Sequence, residues 1–162
     1  MEAAAQRAQI EQFLAEYAAA IDEDRLEQWP EFFTERCLYQ IIPYENFSQG
    51  LPVALMFADS RAMLRDRVTA HRKANVFAPQ RYRHLIGPLR VIGEEEEGAI
   101  VVRANYAVYR TMLDAANYGR SELFSVGVYH DRLIREQGRL LLREKVVVVE
   151  TARIATLLVT PL

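Results

Sequence analysis

Cysteine is nearly absent: Cys37 is the one cysteine in 162 residues. No disulfide can form within the chain, which points to a reducing compartment. An iron–sulfur centre held by this chain alone is excluded, since it needs several cysteines, or a pair of cysteines with a pair of histidines. Histidine is scarce too. His71, His84 and His130 are the three, and no two stand at the helical spacing of a zinc motif. The seven glycines are scattered, and neither a phosphate-binding loop nor a dinucleotide fingerprint is present. No G-x-S-x-G elbow marks a nucleophile. Lys and Arg total 20 against 22 Asp and Glu, a net charge of -2 that offers no basic surface to nucleic acid. Long apolar runs are missing as well. Val146 to Val149 is typical of the longest, far short of the roughly 18–20 residues of a membrane helix. The first residues lack the basic start and apolar run of a secretory signal, so the expected location is the cytoplasm.

What is present is a core. The chain is 51% hydrophobic and 26% charged, the balance of one globular domain spanning residues 1–162. Ile10, Phe13, Leu14, Tyr17 and Ile21 recur at spacings of three and four, which predicts an amphipathic helix. A second, shorter helix fits Leu26, Trp29, Phe32 and Phe33, with Pro30 near its start. Helices are thus expected over about 5–33 and again over 59–74, where Asp59 or Ser60 caps a helix packing on Met63, Leu64 and Val68. Between them, Leu38 to Ile42 predicts a strand stopped by Pro43, and 43–58 reads as a loop. Long strands follow over about 81–149, with turns at Glu94 to Gly98, Asn117 to Gly119 and Gln137-Gly138, and then a tail over 150–162. Gly87-Pro88 is expected to bend the first of these strands, and Gly127 to form a bulge that curls the sheet. Phe124, Val126, Val128 and His130 are expected on one sheet face, opposite Ser125, Gly127, Tyr129 and Asp131. The fold class is α+β: a strongly curved antiparallel or mixed sheet with N-terminal helices on its concave face, a cone-shaped roll.

Candidate chemistry is thin. His84 in a strand, with Asp22 where the first helix ends, supplies a base and a carboxylate for proton transfer in a cone pocket. Asp24, Tyr17 and Tyr39 are further candidates for that pocket. His71, between Ala70 and Arg72-Lys73, reads as solvated, and Cys37 as a small buried hydrophobe. Arg81, Tyr82, Arg83 and His84 mix arginine with aromatic rings, and Arg103 and Arg110 lie on a later strand. Such composition is enriched at protein interfaces, which makes these six the candidate subunit interface.

The stretch from Asp22 to Tyr39 combines an acidic turn, Trp29 in a short helix, the Phe32-Phe33 pair, Glu35 and a Tyr39-bearing strand. It resembles the start of the nuclear-transport-factor-like cone fold and, within it, the small (β) subunit of aromatic-ring-hydroxylating dioxygenases. Asp59 to Val68 is similar to that family's third helix, and Arg81 to His84 to its first long strand. The end from Thr151 to Leu162 is similar to small subunits of terephthalate- and salicylate-type oxygenases, and Glu45 to Pro52 leans to the salicylate side.

The resemblance implies a division of labour. A large (α) subunit carries the Rieske iron–sulfur cluster and the mononuclear iron, and a reductase delivers electrons from NADH or NADPH. The small subunit holds no cofactor, no metal and no catalytic residue. It assembles with the large one as a three-plus-three hexamer, associating with itself around the threefold. The reaction it serves is hydroxylation of an aromatic carboxylate. The rival reading is a stand-alone dehydratase, isomerase or cyclase that uses His84 and Asp22.

Overall fold

The computed structural model describes residues 2–151 and 158–162. Helix α1 (Glu2–Asp22) buries Ile10, Phe13, Leu14, Tyr17 and Ile21, the stripe its periodicity predicts. The chain then turns through Asp24, at φ 58, into a 3-10 helix over Leu26–Phe32 that buries Leu26, Trp29 and Pro30. Phe33 does not extend this helix. It opens strand β1 (Phe33–Pro43): its backbone is extended, at φ -108 and ψ 155, and its amide donates to the Pro30 carbonyl to close the last turn.

The segment expected as a loop contains two elements, the short helix α2 (Tyr44–Ser48) and strand β2 (Met56–Ser60). Helix α3 (Arg61–Lys73) starts at Ser60, whose hydroxyl accepts from the Met63 amide at 3.4 Å. Arg72 and Lys73 lie in its last turn, where cations complement the helix dipole. Its packed stripe is Leu64, Val68 and His71, while Met63 is 37% exposed. His71 is therefore buried rather than solvated, since spacings of four and three put it under Leu64 and Val68.

Strands β3 (Gln80–Ile86) and β4 (Arg90–Glu94) are separate, broken at Gly87-Pro88, and both pair antiparallel with β5 (Ile100–Met112). Strands β6 (Ser121–Glu136) and β7 (Arg139–Val149) complete a seven-stranded sheet ordered β2-β1-β7-β6-β5-β3, with β4 beside β5. All neighbours are antiparallel except β1 and β7, which run parallel, so the sheet is mixed. The β6–β7 turn has Gln137 at φ 51 and Gly138 at φ 80, the positive pair a tight hairpin requires.

The faces of β5 alternate regularly: Ile100, Val102, Ala104, Tyr106 and Val108 are all buried. Those of β6 change partway. Phe124 and Ser125 are adjacent and both buried, because the β5–β6 register slips between Val108 and Tyr109. The bulge thus falls at Phe124. Gly127 sits in regular register between Tyr106 and Val149 and has another role. The helices cover the concave side of the curved sheet, and one core cluster runs through α1, the 3-10 helix, α3 and the inner strand faces. Residues 158–162 return into this core, where Leu162 is fully buried.

Candidate subunit interface and cone interior

Strand alternation divides the residues expected at an interface. Arg81 and Arg83 point outward from β3, while Tyr82 and His84 turn inward. Arg110 is buried as well. Its guanidinium pairs with Glu122 and lies 5.0 Å over the Phe124 ring. Tyr82, His84 and Arg110 are therefore enclosed within the chain, turned away from the outer face. In their place the outer face presents apolar rungs. Arg83 registers with Tyr109 and Tyr109 with Leu123; Leu85 registers with Ala107 and Ala107 with Val126. Leu85 is 58% exposed, Leu123 54% and Tyr109 42%. Together they form a contiguous exposed apolar patch beside outward arginines, the composition that interfaces favour.

Arg103 also faces outward, and its Nη1 lies 2.8 Å from His130 Nε2, while Phe47 stacks edge-on against the same ring at 4.8 Å. Burial first, and then the Arg103 and Arg132 charges, hold the His130 pKa down to about 4. A histidine depressed in the folded chain binds its proton first in the unfolded one. Stability is thus complete above the ordinary value of 6.5 and falls as pH drops from there toward 4. Thermal midpoints measured from pH 7.5 to 4.5 are expected to decline, and to decline less in His130→Gln. His71, lowered mainly by its burial, adds a smaller slope of the same sign. Identical slopes in the two proteins would show that His130 is not responsible.

Asp22 and His84 do come together. The Asp22 carboxylate accepts from the His84 amide at 2.9 Å and faces Nδ1 at 2.6 Å. The helix end thereby caps a free amide of edge strand β3 and fixes the imidazole. The His84 side chain is fully enclosed, and its Nε2 has no hydrogen-bond partner among the described residues. A groove of about 630 Å³ lies alongside, between α1 and the β3–β4 connection, lined among others by Glu11, Ala18, Asp22, Ile86 and Pro88. Asp24 is drawn away to the surface, paired with Arg72 at 2.6 Å.

The deeper interior is filled. Tyr17, Tyr39, Tyr129 and Trp29 are buried against one another and against Phe33. Among them Lys145 reaches Asp131 at 3.1 and 3.2 Å, with its ammonium 3.5 Å from the centre of the Tyr129 ring. This ion pair was not among the sequence candidates. Its signal is cross-strand register, Asp131 opposite Lys145, which becomes visible only once strands are paired. Burial pushes the Tyr17, Tyr39 and Tyr129 phenols upward, so they stay protonated. Cys37 is buried and its thiol is pushed up to about 11, which makes it inert. Among the described residues, no three His, Cys, Asp or Glu side chains cluster as metal ligands, and no helix is long and apolar enough to cross a membrane.

These features define a cone whose interior is packed with its own side chains and whose outer sheet face is apolar and exposed. Residues 16–156 match the family model for the ring hydroxylating beta subunit, and the chain belongs to that family. The anthranilate 1,2-dioxygenase small subunit of Burkholderia cepacia is 39% identical over 146 residues, 90% of this chain and 88% of that one. The terephthalate 1,2-dioxygenase terminal oxygenase component subunit beta 1 of a Comamonas species is 36% identical over 154 residues, 95% and 97% of the two chains. A crystal structure assigned to the beta subunit of an aromatic-ring-hydroxylating dioxygenase from Novosphingobium aromaticivorans DSM 12444 superposes with a TM-score of 0.88. It is 40% identical, and the match covers all of both chains.

Proposed function

We propose that this chain is the metal-free small subunit of a cytoplasmic oxygenase that hydroxylates an aromatic carboxylate. Its partner is a large subunit holding the Rieske cluster and the mononuclear iron, with three copies of each arranged around a threefold axis. The anthranilate and terephthalate relatives support the substrate class. The observation that carries the subunit role is the outer sheet face. Leu85, Tyr109, Leu123 and Val126 stand exposed on adjoining rungs, flanked by Arg81 and Arg83, while the cone interior is closed.

Co-expression with a large subunit of the anthranilate or terephthalate type tests the assignment. The two chains are expected to co-purify as one large species. Leu123→Asp/Val126→Asp should release the small subunit as a folded, separate chain, because both positions are exposed on it. A native chain that stays monomeric and ignores every such partner would overturn the assignment. The rival reading draws on the Asp22–His84 pair and its unpartnered Nε2. It requires turnover by the purified chain without metal or reductant, abolished by His84→Ala.

A further inference from the structure

Deep in the cone, two phenols converge on one main-chain oxygen. The Tyr17 hydroxyl donates to the Leu162 oxygen at 3.1 Å, and the Tyr39 hydroxyl lies 3.2 Å from the same atom. Each phenol has one hydrogen, and each phenol oxygen is already engaged as an acceptor. Trp29 Nε1–H donates to the Tyr17 oxygen at 3.0 Å, and the Leu162 amide donates to the Tyr39 oxygen at 3.0 Å. Both phenols donate to the Leu162 oxygen, and the two hydroxyls are also within hydrogen-bonding reach of each other. Tyr17, Tyr39, Trp29 and Leu162 are at most 1% exposed, so water does not compete.

The rest of the segment is held with equal definition. Thr160 Oγ1 lies 3.1 Å from His71 Nε2. Val159 and Pro161 face Leu26, Trp29, Met56 and Val68, with Arg67 and His71 also on the wall, around a residual void of about 10 Å³. Phenol donors, an acceptor for an amide and a slot walled mainly by apolar side chains together make a ligand site, here filled by residues 159–162.

We propose that the cone interior is a carbonyl-binding site occupied in cis by residues 159–162. When that segment is displaced, the site takes a short apolar ligand bearing a carbonyl or carboxylate oxygen, of the size of a Pro-Leu dipeptide. This site is separate from the outer sheet face, and it stands or falls independently of the subunit assignment.

Two measurements on the full-length chain test it. In the first, Tyr39→Phe removes one donor and the acceptor of the Leu162 amide. Hydrogen exchange of that amide is expected to quicken about tenfold, while amides paired between β5 and β6 keep their rates. Unchanged exchange at Leu162 overturns the proposal, and so does a uniform rise across the sheet. In the second, Pro161→Asp removes the ring that packs among Leu26, Trp29 and Val68, puts a strongly hydrated carboxylate in its place and expels the segment. The peptide N-acetyl-Val-Thr-Pro-Leu should then bind one to one by calorimetry and raise the thermal midpoint, whereas the native chain should not bind it. Adding Tyr17→Phe to this variant should weaken the peptide about tenfold. Equal binding by the native chain overturns the proposal, as does indifference to Tyr17. A dimer of Pro161→Asp that forms by exchanging this segment between copies would also overturn the in-cis assignment. If Pro161→Asp does not fold, the exchange measurement decides.

Discussion

Lys145→Met is expected to destabilise the chain by about 3–5 kcal/mol, the cost of leaving one member of a buried ion pair alone. Asp131 is 1% exposed, and among the described residues Lys145 is its charge partner, at 3.1 Å. The ammonium also sits over the Tyr129 and Tyr17 rings, so its loss removes cation–π attraction as well. Two further results follow from the same geometry. In the native chain burial already pushes the Asp131 pKa up against the pull of Lys145, and without Lys145 nothing opposes it. A carboxyl raised in the folded state costs stability as pH climbs above its unfolded value of 3.8, because the unfolded chain ionises first. The deficit of Lys145→Met should therefore be smaller at pH 4.5 than at pH 7.5, as read by urea denaturation. Asp131→Asn/Lys145→Met, which carries no buried charge, should recover most of the loss. A deficit under about 1 kcal/mol, or one independent of pH, would show that the pair is not ionised in the core.

That pair also shows where reading the sequence stops. The stripe of α1, the core face of β5 and the three turns depend on local periodicity and turn chemistry, and they are legible from residues alone. The faces of β7 are not. It runs in the middle of the sheet beside parallel β1, and its outer residues Val146 and Val148 are covered with Ile42 in a second small cluster. A strand buried on both faces loses its alternation, so nothing local says which way Lys145 points. The bulge at Phe124 is invisible for a related reason. A one-residue slip reverses every face after it, and register belongs to the pair of strands rather than to either one. His71 is different. Its place below Leu64 and Val68 is readable from spacing, and the neighbouring Arg72 and Lys73 mask it. Of the candidate site, Asp22 and His84 were legible as chemistry. Composition marked the outer sheet face only in part: Arg81 and Arg83 face out, Tyr82 and His84 face in, and the exposed apolar rungs beside the arginines come from three strands.

Gly127→Ala is the other large effect, expected at about 3 kcal/mol or above, at or beyond the top of the overpacking range. Its backbone φ is unexceptional, so the glycine is not there for a turn. A methyl group at this position would stand 2.0 Å from the Val148 carbonyl oxygen, 3.0 Å from its carbon and 3.2 Å from Tyr106 Cε1. Val148 and Val149 belong to the paired strand β7, and a ladder backbone cannot move aside the way a flexible side chain does. Either β6 and β7 separate, breaking their hydrogen bonds around Gly127, or Tyr106 is driven off its stack with Tyr129. That stack has ring centres 4.3 Å apart, and the Tyr129 ring carries the Lys145 ammonium, so the disturbance reaches the ion pair. The close approach of two strands on the concave side is what lets a sheet of such long strands curl into a cone. Gly93→Ala is the matched control: a methyl there meets nothing within 4 Å, and its effect should stay within about 0.5 kcal/mol. Chemical denaturation of the two variants separates the cases. If Gly127→Ala unfolds at the same denaturant concentration as Gly93→Ala, the curvature of the sheet does not depend on a bare backbone at this position.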